Sequence, residues 1–222
     1  LAQLQSYDVG RIKPDSPYAK TFGTQEPRDG TRVPTLAQVF ALVKAKGADH
    51  IRFNIETKIT PNQPEDTVSA EAMTTALLKT VKDAGMAGRV TIQSFDWRTL
   101  QVVKAHAPKI RTVYLTSQSQ RGSNIDSPVF NAGFSLQQYG SVPAMVKAAG
   151  GHVWSPNYQA LTIDGVKQGQ ALGLKVIPWT VNEEADIARM IDLGIDGIIS
   201  DYPDRVRKVM QGKGMALPAA IP

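Results

Sequence analysis

The sequence predicts an α/β protein of the parallel type, a (β/α)8 TIM barrel lacking its first two strands, with six βα units visible. Three observations carry that prediction. Short apolar strands centred on Ile55, Ile92, Val113, Val153, Ile177 and Ile198 are each followed by a helix or helix-like connection, the alternation of a parallel sheet. No helix opens on a G-x-G-x-x-G run, so the competing doubly wound dinucleotide fold lacks its fingerprint. Glu56, Lys58, Ser94, Trp179 and Asp201 fall at C-terminal strand ends, where barrel active sites are built.

The elements follow in chain order. Residues 1–33 are rich in Gly, Pro, Asp, Ser and Arg without sustained periodicity and read as an irregular segment. Thr35 caps a helix to about residue 46, with Leu36, Val39, Phe40 and Val43 on its apolar stripe and Gly47 as its stop. Residues 51–58 alternate with the period of a strand: Ile51, Phe53 and Ile55 on one face, Arg52, Asn54, Glu56 and Lys58 on the other. A carboxylate and an ammonium on one face of a strand require a solvated edge or a polar site that uses both, because burying either charge alone costs several kcal/mol, roughly.

A second helix is expected over residues 67–83, with Met73, Ala76, Leu77 and Val81 at core spacing, and a strand over 89–95. Asp96 caps a helix over 97–105, Pro108 breaks it, and residues 110–116 form a further strand. Residues 117–141 interrupt the alternation with Gly, Asn, Ser and Pro and with Phe130, Phe134 and Tyr139. That length is typical of a functional loop, a lid or wall over a site. A short helix over 142–149, a strand at 152–154, a helix over 162–172 and a strand over 174–181 come next. Asn182 is expected to cap a helix over 183–193, residues 196–201 to form the last strand, and Pro203 to open a final helix to about Met210. Residues 1–211 are taken as one incomplete barrel domain and 212–222 as a frayed tail.

Composition narrows the function. The 222 residues are 42% hydrophobic, which suits a globular protein with a proper core. No stretch approaches the ~18 apolar residues of a membrane span, and the first ten residues lack the pattern of a signal peptide. The net charge of +5 comes from scattered Lys and Arg, without aromatic interleaving or a groove-reading motif, so nucleic acid is not an expected partner. A mildly positive field would draw in a small phosphate ester, and plain solubility explains it equally well. Cysteine is absent, which rules out thiolate metal sites and suits an exported or a cytosolic protein; a periplasmic or secreted location is the expectation.

Five motifs in register resemble the glycerophosphodiester phosphodiesterases: Val33-Pro-Thr-Leu36, Asn54-Ile-Glu-Thr-Lys58, Gln93-Ser-Phe95, Pro178-Trp-Thr-Val-Asn182 and Asp196-Gly-Ile-Ile-Ser-Asp-Tyr-Pro203. The resemblance runs from about Tyr7 to Met210. It implies a barrel that uses one divalent metal ion, Ca or Mg, to hydrolyse glycerophosphodiesters to an alcohol and glycerol 3-phosphate. Carried over by position, Glu56 is a metal ligand, Lys58 faces the phosphate, Trp179 walls the pocket, and Ser94 and Phe95 line its floor. The family's His-Arg-Gly strand, Glu-Asn turn, Glu-x-Asp strand end and second His have no counterpart in the sequence, so the acid/base histidines and two metal ligands are expected upstream of Leu1.

The residues themselves admit plainer readings. Glu56 and Lys58 can be a structural pair at a strand end, Trp179 can be core, and Asp201 can order the turn before Pro203. His50, His106 and His152 lie at strand starts or a helix end, away from the expected site. A lysine beside a carboxylate on a barrel strand also suits a Schiff-base aldolase, and a non-catalytic barrel that binds a phosphate ester accommodates the missing histidines.

Overall fold

A computed structural model describes residues 1–119 and 122–219. The expected single domain divides by contact into two compact units, Leu1–Asp49 and His50–Pro222. The end of the expected tail, residues 220–222, and two residues of the expected lid, 120 and 121, lie outside the described residues.

The first unit is more ordered than its composition suggests. It holds α1 (Ala2–Ser6), α2 (Pro17–Thr21) and α3 (Leu36–Ala45), so the segment expected to be irregular contains two short helices. Ser16 caps α2, accepting from Ala19 N with Pro17 in the first turn, which is the chemistry that starts a helix in a turn-rich stretch. Asp8 ties the loops together. Its two carboxylate oxygens accept from Gly10 N (2.9 Å) and Gly30 N (2.6 Å), and these bonds hold its carboxyl below the ordinary range. Gly10 has no substitute here, since a Cβ would stand 1.7 Å from Arg28 O. Thr35 caps α3 in a full capping box with Gln38.

The second unit is built on a parallel sheet of five strands: β1 (Phe53–Glu56), β2 (Val90–Ser94), β3 (Arg111–Thr116), β6 (Val153–Pro156) and β7 (Lys175–Val176). The strands stand side by side in chain order, all parallel. A doubly wound sheet reverses its order at a switch point; this one does not, and it is the wall of a (β/α) barrel. The small antiparallel pair β4 (Gln118–Ser119) and β5 (Gly122–Ser123) sits apart from it.

The connecting helices are α4 (Ala70–Asp83), α5 (Trp97–His106), α6 (Leu136–Tyr139), α7 (Val142–Ala148), α8 (Ile163–Ala171), α9 (Glu184–Asp192) and α10 (Pro203–Gly212). Ile92, Tyr114, Trp154 and Val176 are buried on the helix side of the sheet. Trp97 of α5 meets Tyr114 edge-on at 4.9 Å between ring centroids, and Trp154 lies against Gly165 and Gly169 of α8. The Tyr114 hydroxyl donates to Ala149 O at 2.9 Å, and burial raises its pKa well above the ordinary phenol.

Four expectations are corrected. The strand over 174–181 is regular only at Lys175–Val176, because Pro178 has no N–H for the ladder; the pairing resumes at Trp179, which bridges Asn157. Residues 196–201 run beside that stretch without becoming a regular strand, joined by Asp196 N to Val176 O, Ile199 N to Pro178 O and Val181 N to Ile199 O, each at 2.9 Å. Asn182 does not cap α9. Glu183 occupies that position, and Asn182 Oδ1 instead accepts from Ser200 Oγ and Asp201 N while Nδ2 donates to Asp201. In α4, capped by Ser69, Ala76 is exposed and Thr74 is fully buried, since its hydroxyl reaches Thr99 O of α5.

Candidate active site

The C-terminal strand ends of the second unit surround a cavity of about 460 Å³. Glu56, Lys58, Phe95 and Trp179 all line it. The geometry begins at Thr57, which carried no signal of its own in the sequence. Its N–H donates to Gln93 O (3.0 Å), its carbonyl accepts from Ser94 Oγ (2.9 Å), and its hydroxyl bonds Thr99 Oγ1 of α5 (2.8 Å). Thr57 is 2% exposed. With the intervening residue clamped into the sheet and the helix behind it, the alternation of an extended chain projects Glu56 and Lys58 to the other side. Lys58 Nζ stands 3.6 Å from Glu56 Oε2. The lysine side chain is 79% exposed and the glutamate 24%.

Ser94 does not line the cavity. It is fully buried, donating to Thr57 O and accepting from Asp96 N (3.1 Å), because the even positions of β2 face the helices. Its position supports the Glu56–Lys58 turn from below. Phe95, one residue on, does face the cavity and meets Trp179 edge-on, with centroids 5.2 Å apart and planes at 89°. Trp179 is fixed in turn by its indole N–H, which donates to Ser155 O at 2.9 Å.

Two further lining residues carried no signal in the sequence as site residues. Asp96 caps α5 and is 1% exposed. Both its oxygens are occupied by Arg98, at 2.9 Å to Nε and 2.6 Å to Nη2, and this bonding raises the guanidinium further above its ordinary pKa. Asn124 pins the loop expected as a lid. Its Oδ1 accepts from Ser117 N (2.8 Å), and its Nδ2 donates to Leu115 O (3.0 Å) and Phe95 O (3.3 Å). With Ile125 buried beside it and Phe130 O accepting from Trp97 N (2.7 Å), the described part of the loop is a fixed wall. Phe130 completes the aromatic lining with Phe95 and Trp179.

Asp201 is held by Asn182 at the start of α10, and it is absent from the cavity lining. None of the three histidines lines the cavity either. His106 pairs with Glu71 at 3.1 Å, and His152 stands just before β6 with its ring against Thr112 N. A calcium or magnesium ion requires about six oxygen ligands, carboxylates prominent among them. Among the described residues no group of three or more His, Cys, Asp or Glu could hold a metal ion, and with Asp96 committed to Arg98, Glu56 is the one lining carboxylate with oxygens to offer. These residues by themselves do not fit a divalent cation.

Comparison with known proteins places the chain in a family. The model of the glycerophosphoryl diester phosphodiesterase family matches residues 1–205. A glycerophosphodiester phosphodiesterase of Bacillus subtilis is 32% identical over 186 residues, 82% of this chain and 56% of its own length. The chain therefore spans little more than half of that relative. A crystal structure from Silicibacter pomeroyi, of a candidate glycerophosphoryl diester phosphodiesterase, superposes with a TM-score of 0.84 at 30% identity, covering 98% of this chain and 69% of that one. The fold of an Oleispira antarctica phosphodiesterase, solved with the product sn-glycerol-3-phosphate, is shared at a TM-score of 0.62 and 18% identity, over 95% of this chain and 76% of that one. With a family match across nearly its whole length and a barrel wall whose Glu-x-Lys strand end opens on an aromatic-lined cavity, the chain belongs to the glycerophosphoryl diester phosphodiesterase family.

Proposed function

We propose that the protein hydrolyses glycerophosphodiesters to an alcohol and glycerol 3-phosphate, with Glu56, Lys58, Phe95 and Trp179 forming one side of its site. The observation that carries this reading is the Glu56–Lys58 pair, 3.6 Å apart at the mouth of an aromatic-walled cavity. A phosphodiester monoanion repels nucleophiles, so its hydrolysis needs cationic charge on the non-bridging oxygens and a proton for the leaving alkoxide. Lys58, 79% exposed, presents a mobile point charge to the first of these needs. That exposure is the setting of an anion clamp; an amine nucleophile of the aldolase kind is activated by desolvation or a neighbouring cation. Phe95, Phe130 and Trp179 offer the carbon skeleton of the substrate an apolar wall.

In this reading Glu56 is one ligand of a divalent calcium or magnesium ion, which supplies Lewis-acid polarisation of the phosphate when bound. This reading needs further metal ligands and a proton donor beyond the residues that line the cavity. The same reading carries a periplasmic or secreted location, tested by cell fractionation. The activity is tested on the full-length gene product by coupled assay of glycerol 3-phosphate release. Release that stops with chelator and returns with calcium or magnesium supports the proposal. Binding of the diester without release under either metal makes the protein a phosphate-ester-binding barrel, and borohydride trapping of a carbonyl compound on Lys58 makes it an aldolase.

A further inference from the structure

The opposite end of the same sheet carries a chemistry that phosphodiester hydrolysis does not use. Lys82, Lys104 and Lys147 stand in the last turns of α4, α5 and α7. Arg111 begins β3, Lys109 precedes it, and His152 precedes β6. The Lys104 ammonium donates to Ala149 O at 2.9 Å, and the His152 ring accepts from Thr112 N at 3.3 Å. These bonds bring the two groups to the same loop. Burial lowers the His152 pKa, and Arg111, Lys104 and Lys147 push it the same way, so each of the three cations lies within electrostatic reach of this histidine.

Beside this cluster, between the C-terminal ends of α4 and α5, runs a groove of about 700 Å³. Leu78, Val81, Ala87, Ala107, Pro108 and Ile110 give it an apolar lining, and Lys82 and Lys109 also border it. The nearby carboxylates are engaged, Asp83 by Lys79 and Glu71 by His106. Among the described residues Lys82, Lys109, Arg111 and Lys147 have no ion-pair partner. A lysine in a helix's last turn complements the helix dipole, which accounts for one cation per helix. It does not account for Lys109 and Arg111 at a strand start, or for an apolar groove bordered by cations.

We propose that this end of the protein docks on an anionic phospholipid surface. Lys82, Lys109, Arg111 and Lys147 meet the headgroup phosphates, and the groove at Leu78, Ala87 and Pro108 takes up acyl-chain carbon. The groove favours lipid over nucleic acid, whose phosphates would satisfy the cations and leave the apolar lining bare. Docked this way, the Glu56–Lys58 rim faces away from the bilayer, towards water-soluble diesters; that consequence alone rests on the function proposed above.

Flotation of the whole protein with phosphatidylcholine vesicles, and with vesicles of equal parts phosphatidylcholine and phosphatidylglycerol, tests the proposal. Partition onto the anionic vesicles alone, weakened by added salt, is expected. Lys109→Ala and Arg111→Ala should each lower the partition constant roughly fivefold, as expected for one basic residue near an anionic surface. Ala87→Gln alters an exposed groove residue without changing charge; it should weaken vesicle binding and leave retention on heparin unchanged. Circular dichroism of each variant confirms that the fold is kept. Absence of partition onto anionic vesicles overturns the proposal. So does vesicle binding that Ala87→Gln leaves intact, or a shift of duplex DNA at the same salt that the charge variants abolish, since either outcome makes the cluster a general polyanion site.

Discussion

The two ends of the parallel sheet make an instructive pair, because the same backbone arrangement produces a cavity of about 460 Å³ at one end and a groove of about 700 Å³ at the other. At the C-terminal end the groups are held from behind. Thr57 locks the turn that carries Glu56 and Lys58, Ser155 O holds the Trp179 indole, and Asn124 fastens the wall. At the N-terminal end the lysines are long and anchored at most at one atom, and Lys82, Lys109 and Lys147 are exposed. Preorganised groups suit a reaction, where small misplacements are costly; loosely held charges suit a fluid, extended partner. The contrast is one of second contacts, not of residue types, since both ends carry lysine and apolar side chains.

The largest expected effect would break the contrast outright. On the proposed function, Glu56→Gln in the full-length protein would remove an anionic metal ligand without changing volume, and turnover should fall about 100-fold or more, with metal affinity falling in parallel. A metal titration of the rate checks this, and an unchanged metal dependence removes Glu56 from the site. Lys58→Met comes next: kcat should fall by about 100-fold, in line with the loss of one transition-state charge contact, with metal binding retained. If only KM rises, the lysine binds ground state and transition state alike.

Asp96→Ala tests the scaffold behind the rim. It removes a buried helix cap, and the cap alone is worth about 1 kcal/mol, so a loss of unfolding free energy of that order is expected in urea denaturation. The partner Arg98 is 42% exposed, so water screens much of the pair and little is added by its loss. Stability unchanged would mean that the Asp96 cap does not hold α5. The smallest effect belongs to the N-terminal end. Burial works to raise the Asp196 pKa, but hydrogen bonds from Lys175, Val176 N and Gln170 together hold it below its ordinary value of 3.8. A carboxyl depressed on folding contributes stability that is complete above the unfolded value and is lost as pH falls through the folded one. Thermal unfolding of the native protein should therefore lose stability on acidification below about pH 4, and Asp196→Asn should flatten that part of the profile.

Much of the fold was legible because it rests on local chemistry. Thr35, Asp96 and Thr162 read as helix starts and cap their helices, and the alternation in residues 51–58 correctly put Glu56 and Lys58 on one face. Errors arose where a distant partner decides. Asn182 reads as a cap from its neighbours, yet Ser200 and Asp201 claim its side chain. Ser94 stands beside Phe95 in a motif, yet the pleat sends the two to opposite sides of the sheet. Asn124 lies in a polar loop with nothing nearby to mark it, because the carbonyl of Phe95 that it satisfies is 29 residues away. Regularity also failed at Pro178, whose effect on the ladder extends to the adjoining stretch, residues 196–201.

The three hydrogen bonds of Asn124 have a consequence for how this protein can be altered. They return the chain to the ends of β2 and β3 within a few residues of leaving β3, so the segment beyond Asn124 behaves as a separately attached insert. Further along, Ser135 caps α6 and Gly140, at φ 75°, ends it, supplying a second boundary before α7. Residues between these two points are therefore a natural cassette for grafting: a transplanted segment that keeps Asn124 and the Ser135–Gly140 boundary enters with its ends already registered to the barrel wall, without any change to the strands.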